Sequence, residues 1–512
     1  MGGITVVISQ GCLGAFKNMK MNHSTRRNFL ASLAAPLFAS SAPGRKPNVL
    51  FILADDLGWR DTGIYGSAYY ETPNIDGLAK RGMMFRNAYA AAPICSPTRA
   101  SIQTGLHPAR IGMTAPSGHL PEVILEQKLQ KQGPRVHKAL VPVSVTRLKL
   151  EYITLGESFK AAGYRTAHLG KWHLGSEPYD PLHQGFDIDL PHTPDSSPVS
   201  GYLGPWKFWP GQGKPGEHIE DRLSDEAEKF IVANKDHPFY LEYWAFSVHS
   251  PWQAKPEILK KYTRKTDPAN PQHNPVYAAM VESLDAAIGR VIKAIDENGL
   301  ADNTIIVFFS DNGGVFWDAR TEKAMLDPGY EDIPITSNAP LRNGKASIYD
   351  GGTREPMIMI WPGHVKAGSA SDAIVQSIDF HPTLLEMVGL KPQADQKFDG
   401  ISIVPALLGK PLGREAIFCH YPHYSPQANA IPGTWVRKGD WKLIRFWCDG
   451  PDRKDRFELY NLAADIGESN DLAAQYPERV RELKALLDLF IADTHATVPI
   501  PNPAYRAEAT SG

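Results

Sequence analysis

Short apolar runs that each stop at a polar residue, separated by helix-patterned segments, constrain the fold of this chain more than any other feature. Val49-Leu50-Phe51-Ile52-Leu53-Ala54 runs straight into Asp55-Asp56. Tyr164 to Leu169 leads to Lys171 and His173, and Phe239 to Val248 leads to His249. Thr304 to Phe309 leads to Ser310-Asp311-Asn312-Gly313, and Met357 to Trp361 reads as a fifth strand. Apolar β-rich runs without polar alternation belong to strands buried on both faces, as in parallel sheets. Helical spacing marks Glu151 to Ala162, Asp221 to Asn234 and Asn274 to Asn298, with Gly163 and Gly299 as stops. The expectation is an α/β fold: a large, mostly parallel (mixed) sheet flanked by helices. Ligands in such sheets bind beyond the carboxyl ends of the strands, where these polar residues fall.

Near Leu412 the pattern changes. Glu415 to His420, Trp435 to Lys438, Trp441 to Trp447 and Phe457 to Tyr460 read as short strands, with turns at Gly433 and Gly439-Asp440. Pro477 to Ala492 has apolar residues at helical spacing, and the Pro-rich tail after Thr494 reads as a surface loop. With 512 residues there is room for a large domain and a small one. The expected division is an N-terminal extension over 1–45, the α/β domain over 46–412, and a C-terminal α+β subdomain with an antiparallel sheet and tail over 413–512.

The first 45 residues read as a targeting segment rather than as fold. Ser24-Thr25-Arg26-Arg27-Asn28-Phe29-Leu30 resembles a twin-arginine export signal. An apolar stretch to Ala39, too short to span a bilayer, and the small residues Ala39-Ser40-Ser41-Ala42 follow in the right order. This predicts the twin-arginine translocase as a partner, a periplasmic or secreted location and no stable membrane span. Met19 or Met21 is a candidate start, and Cys12 lies in a poor lipoprotein context. The net charge of −2 argues against a nucleic-acid partner. The basic stretch Gln127 to Lys149 reads as a solvated loop. Of four cysteines, Cys419 and Cys448 are either one disulfide or two buried thiols.

Cys95-Ser96-Pro97-Thr98-Arg99 opens a run that continues Ala100-Ser101-Ile102-Gln103-Thr104-Gly105. Ser96-Pro97 suits a helix start and Gly105 a helix end. Residue 95 therefore sits beside a helix N-terminus, which favours an anion. The run resembles the sulfatase signature, in which the cysteine is oxidised to formylglycine. Gly170-Lys171-Trp172-His173-Leu174-Gly175 and Leu341-Arg342-Asn343-Gly344-Lys345, followed by Asp350-Gly351-Gly352-Thr353-Arg354-Glu355-Pro356, resemble further segments of that family. The resemblance runs from about residue 46 to 495. It departs from the family at Val248, where proline often precedes the histidine, and at Asp350, where glutamate is usual.

A sulfate ester is cleaved by a nucleophile, neutralising charge and a proton for the leaving alcohol. Asp55, Asp56, Asp311 and Asn312 are hard oxygen donors suited to Ca2+ or Mg2+. The resemblance implies one calcium ion held by these four residues and residue 95. It also implies a formylglycine hydrate as nucleophile, regenerated as the aldehyde when sulfate leaves. Arg99 then lies one helical turn from residue 95 and binds its diol. Lys171 binds a sulfate oxygen, and His173 holds and deprotonates the remaining hydroxyl. His249 stands near the leaving oxygen, and Lys345 binds sulfate and helps to protonate the alcohol. Arg354 and Glu355 read as a structural ion pair. A formylglycine-generating maturation enzyme is a further implied partner.

The substrate expected is a sulfated glycan or small molecule such as an aryl sulfate. His420-Tyr421-Pro422-His423-Tyr424 and Trp435 are equally readable as a sugar grip or as core, with His183 and His192 as weaker rim candidates. Two rival readings exist. One is a phosphonate or phosphate ester hydrolase of the same superfamily, and the other is a catalytically inactive glycan-binding relative.

Overall fold

In the computed structural model, residues 45–209, 211–265, 267–321 and 327–506 are described. The proposed export signal and Cys12 lie outside the described residues.

Eight strands form the main sheet: β1 (Asn48–Ala54), β2 (Met83–Tyr89), β3 (Arg165–Gly170), β4 (Ile188–Leu190), β5 (Phe239–Trp244), β6 (Thr304–Ser310), β7 (Arg354–Ile360) and β8 (Ser369–Gln376). Their order is β8-β2-β7-β6-β1-β5-β3-β4. Only β7 runs antiparallel to its neighbours; the other pairings are parallel. The sheet is therefore mixed but mostly parallel, as the alternation required.

Every residue of β1 and β6 is buried, because helices cover both faces. On one face Leu50, Ile52, Ile306 and Phe308 pack with α1 (Pro73–Arg81), α4 (Ile219–Ala233) and α5 (Pro275–Glu297). On the other, Val49, Phe51, Leu53, Val307 and Phe309 meet α2 (Cys95–Thr104) and α3 (Leu155–Ala161). Alternate residues of one strand thus supply two cores. Three of the helix boundaries are chemically explicit. Thr154 and Glu157 form a capping box on α3, Asn274 caps α5, and Gly105 ends α2 at φ 69°.

The C-terminal sheet is an antiparallel meander of β9 (Ile417–Tyr421), β10 (Gly433–Lys438), β11 (Trp441–Phe446) and β12 (Arg456–Asn461). Leu483 and Leu487 of α6 (Pro477–Thr494) pack on one of its faces with Val436, Leu443 and Leu459. Its other face carries Cys419, Trp435 and Ile444, packed with Tyr89, Ile94 and Cys95. Cys419 and Cys448 are both free thiols. Part of the tail is less free than a surface loop, since Ile500–Pro501 pair with Ala139–Leu140.

Candidate active site

Parallel pairing brings the strand-end residues together. Ala54 and Ser310 are register partners, so Asp55-Asp56 and Asp311-Asn312 emerge side by side. The Asp311 amide donates to the Ala54 carbonyl at 3.1 Å. On the other side of β1, the Asp55 amide donates to Ser247 O at 2.9 Å, in the loop after β5 that carries His249. β3 ends at Gly170, whose φ is 118° and where a Cβ would lie 1.9 Å from Trp244 O. Only glycine permits that approach, and the next amide, Lys171 N, donates to the same carbonyl at 2.8 Å.

The resulting cluster is dense and dry. Asp55, Asp56, Asp311, Asn312, Arg99 and Lys171 are all buried, and Cys95 is buried at the first residue of α2. Lys171 Nζ lies 2.6 Å from Asp55 Oδ2, Arg99 Nε 2.8 Å from Asp311 Oδ2 and Lys345 Nζ 2.7 Å from Asp56 Oδ2. His249 Nε2 is 3.7 Å from Asp56 Oδ2. Asn312 Nδ2 donates to Asp56 Oδ1 at 2.8 Å. Three carboxylates are thus met by three cations of the chain itself.

That balance is incomplete. Asp55 Oδ1 and Asn312 Oδ1 are buried without a hydrogen-bond partner, and unpaired buried polar atoms are costly. Burial, with the neighbouring carboxylates, raises Asp55 and takes Asp311 up to about 6, against the pull of Arg99 and Lys171. Burial also opposes the charge on Asp56, but Lys345 and His249 outweigh it and hold that carboxyl at about 2. Asp55, Asp56 and Asp311 offer oxygens within 4.8 Å of one another, and a carboxylate oxygen of Asp55, the Cys95 sulfur and a His249 ring nitrogen are grouped as closely. This donor set, hard and oxygen-rich with two unpartnered oxygens, fits a divalent cation. Burial pushes the Cys95 thiol up, so an unmodified cysteine here is a poor thiolate.

Burial, then Lys345, lowers His249 to about 3, and burial with Lys171 holds His173 well below its ordinary value. Both imidazoles are neutral near pH 7, and Asp56 draws Lys345 up, so it stays charged despite its burial. Every residue that the sequence singled out for chemistry is therefore in one place, although Lys171 and His173 reach it from irregular chain beyond β3, with His173 at φ 59°.

Three neighbours, Asp61, Tyr277 and His119, were not legible in the sequence, and Glu355 was legible only as half of an ion pair. Asp61 accepts from Tyr277 Oη at 2.7 Å, and the same hydroxyl donates to Asp56 O at 3.1 Å. His119 Nδ1 lies 2.7 Å from His173 Nε2. Glu355 is fully buried with neither oxygen partnered, and burial raises it well above the carboxylate range. The expected Arg354–Glu355 pair does not form. Adjacent strand residues point to opposite faces, and Arg354 reaches Asp350 at 3.7 Å instead. The sugar-grip residues divide similarly. Trp435, His420 and Tyr421 are core, with Trp435 edge-on to Tyr89. His423 bonds Thr114 and Tyr424 stacks on His137. His183 and His192 pair with Asp180 and Asp189.

A mostly parallel sheet that carries at its carboxyl edge an acidic cluster fit for a cation, beside a helix N-terminus flanked by lysine and arginine, is the type of α/β site suited to an anionic ester. The sulfatase family model matches residues 47–390, and that of the N-sulphoglucosamine sulphohydrolase C-terminal region matches 343–492. The chain belongs to the sulfatase family. It is 33% identical to the N-acetylgalactosamine-6-sulfatase of Homo sapiens over 489 residues, covering 88% of this chain and 86% of that protein. It is 30% identical to the arylsulfatase A of Homo sapiens, covering 94% of each. The crystal structure of Ps i-CgsB in complex with k-i-k-neocarrahexaose superposes with a TM-score of 0.69 and 27% identity, covering 91% of this chain and 96% of that one. The chain is thus a sulfatase-family enzyme.

Proposed function

We propose that this protein is an exported, calcium-dependent sulfatase that removes sulfate from a sulfated carbohydrate, using a formylglycine made from Cys95. One observation carries the reading: the buried residue 95 opens a helix among three carboxylates, two lysines and an arginine, with carboxylate and amide oxygens left unpartnered. The cation would be held by Asp55, Asp56, Asp311, Asn312 and residue 95, and it would supply Lewis-acid stabilisation of oxyanion charge.

The chain's own residues divide the remaining work. Arg99 holds Asp311 and, one turn from residue 95, orients the hydroxyls of its hydrate. Lys171 and Lys345 carry the positive charge that draws in the sulfate oxygens. Lys345 remains protonated, so it can give a proton to the leaving alcohol, beside His249. His173, neutral and buried, accepts the proton of the remaining hydroxyl. Residue 95 must be an aldehyde precursor because a simple ester at that position has no second hydroxyl to expel sulfate.

The carbohydrate assignment rests on the relatives. One acts on N-acetylgalactosamine 6-sulfate by its name, and another was crystallised with a neocarrahexaose. A cavity of about 570 Å³ lined by Phe316, Arg342, Asn343, Tyr349 and Arg456 adjoins the Lys345 segment and has room for a saccharide. Export rests on the Ser24 to Leu30 motif.

Mass spectrometry of the peptide carrying residue 95, followed by a desulfation panel, tests the proposal. The panel holds 6-O-sulfated amino sugars, carrageenan oligosaccharides, an N-sulfated glucosamine, an aryl sulfate and the matching aryl phosphate and phosphonate. The expected result is conversion at 95 and calcium-dependent release of sulfate from a sugar. Dominant turnover of the phosphorus esters would overturn it in favour of the phosphoester rival.

A further inference from the structure

Resting on that reading, one contact is left unused: the pair His119–His173. His119 lies on the loop after the short helix Pro108–Ile111 and is exposed. Its Nδ1 is 2.7 Å from His173 Nε2, with ring centroids 4.9 Å apart. The placement is built rather than incidental. Ser96 Oγ, next to residue 95, donates to His173 O at 2.8 Å and accepts from Gly118 N at 3.3 Å. A Cβ on Gly118 would lie 1.8 Å from the His173 carbonyl oxygen, so only glycine lets this loop close on His173. The left-handed backbone of His173 is held by the same two ties.

We propose that His119 is the positioning residue of the proton acceptor: its Nδ1 accepts the Nε2–H of His173, so that the buried Nδ1 of His173 is the base. The logic is that of a nucleophile–base pair oriented by a third group. A neutral imidazole donates at one nitrogen and accepts at the other, and its partner sets which. His173 Nδ1 is buried and has no hydrogen-bond partner. The cations acting on that ring are Lys171 and Arg99, alongside His119 and His249. A bare nitrogen is favoured beside cations, and an N–H is not. His119 has Lys171, Arg147 and Asp195 as its own charged neighbours. In the step, the O–H of the residue 95 hydroxyl breaks and N–H forms at His173 Nδ1. The electron pair left on that oxygen forms the aldehyde C=O while the C–O bond to sulfate breaks, so that sulfate leaves with that bond's electrons. The Nε2–H stays in place, shared with His119, and the new proton passes to water after sulfate leaves. No electron is gained or lost.

Two measurements decide this. In uniformly 15N-histidine-labelled protein with the thiol at 95, His173 is expected in the Nε2–H tautomer, and His119→Ala is expected to mix the tautomers. In the matured enzyme, His119→Ala is expected to lower kcat about 10- to 100-fold with KM changed less than about threefold. His119→Asn, which keeps an acceptor near the Nδ1 position, should stay within about threefold of wild type. Added imidazole should restore His119→Ala saturably and leave His173→Ala inactive. Unchanged kcat in His119→Ala, or loss that neither asparagine nor imidazole relieves, overturns the proposal. A wild type inert to sulfate esters counts against the sulfatase reading instead, and the tautomer spectrum still decides the pairing.

Discussion

Two of the buried charge clusters among the described residues are built for opposite ends. The strand-end cluster of Asp55, Asp56 and Asp311 leaves oxygens unpartnered and holds two of its three carboxyls above their ordinary range. The second cluster joins the start of β7 to the C-terminal sheet. There Lys442 Nζ lies 2.8 Å from both Asp350 Oδ1 and Glu468 Oε1. Asp350 Oδ2 accepts from Tyr89 Oη at 2.7 Å, Glu468 Oε2 accepts from Asp350 N at 2.6 Å, and Arg437 reaches Tyr89 as well. Three of the four carboxylate oxygens of that second group accept hydrogen bonds, and the fourth, Glu468 Oε1, accepts none but faces the Lys442 ammonium. The cluster proposed to hold a cation keeps unpartnered oxygens on two residues, Asp55 and Asn312, whereas in the closed joint between sheets the one oxygen without a hydrogen bond still faces an ammonium.

Four experiments separate the two clusters. The largest effect is expected at the open cluster. Cys95→Ala should lower kcat by about four orders of magnitude or more while circular dichroism and melting stay unchanged. Sulfate release in a continuous assay measures the first part, and a thermal melt the second. Retained activity would remove residue 95 from the chemistry.

Next, Lys442→Met strips the closed cluster of its shared cation. Removing one partner of buried charges costs about 3–5 kcal/mol, read as a lower denaturation midpoint, with turnover per folded molecule unchanged. If Lys442→Met instead lowers kcat at full stability, the two clusters are not functionally separate.

Calcium addition should stabilise only the open cluster. At about 100 times its Kd a ligand adds about 2.7 kcal/mol, so the midpoint of wild type should rise with calcium. The double variant Asp55→Asn with Asp311→Asn should lose that response, and Lys442→Met should keep it.

The smallest effect is a pH slope inside the closed cluster. Burial, helped by the neighbouring charge of Asp350, lifts Glu468 to about 7 against the pull of Lys442. The folded state therefore keeps a proton that the unfolded chain has already lost. That contribution is complete below the unfolded value near 4.5 and disappears as pH rises through 7. Glu468→Gln cannot lose a proton, so its stability relative to wild type should improve by about 2–3 kcal/mol between pH 4.5 and 8. Denaturant midpoints of both proteins at the two pH values check it, and a flat difference would mean that Glu468 stays charged.

The same contrast explains what was readable in advance. β1 and β6 are continuous apolar runs, so their burial on two faces and their polar ends are written locally. β2, with Arg86 and Asn87 inside it, and β8, which begins Ser-Ala-Ser-Asp, lie toward the sheet edge. They carry too little apolar pattern to be recognised. β7 reads as a strand, but its antiparallel direction is set by its neighbours β2 and β6. The site residues with motifs, such as Cys95-Ser96-Pro97-Thr98-Arg99, were legible because their chemistry depends on short spacing. Tyr277 and His119 were not, since each acts on a residue far away in the chain.

The α/β class, the strand ends that carry the acids, and the sulfatase segments around Cys95, Lys171 and Lys345 are written in the order of the residues alone. These depend on hydrophobic periodicity and short-range motifs, which are properties of consecutive residues. Folding in three dimensions is what makes Trp435 and His420 core, turns Arg354 to Asp350 rather than Glu355, leaves Cys419 and Cys448 unpaired, and rests His119 on His173. The physical reason is that a partner is chosen by packing and register across the sheet. Whether a polar atom is satisfied or left open depends on neighbours that the chain brings in from tens or hundreds of residues away.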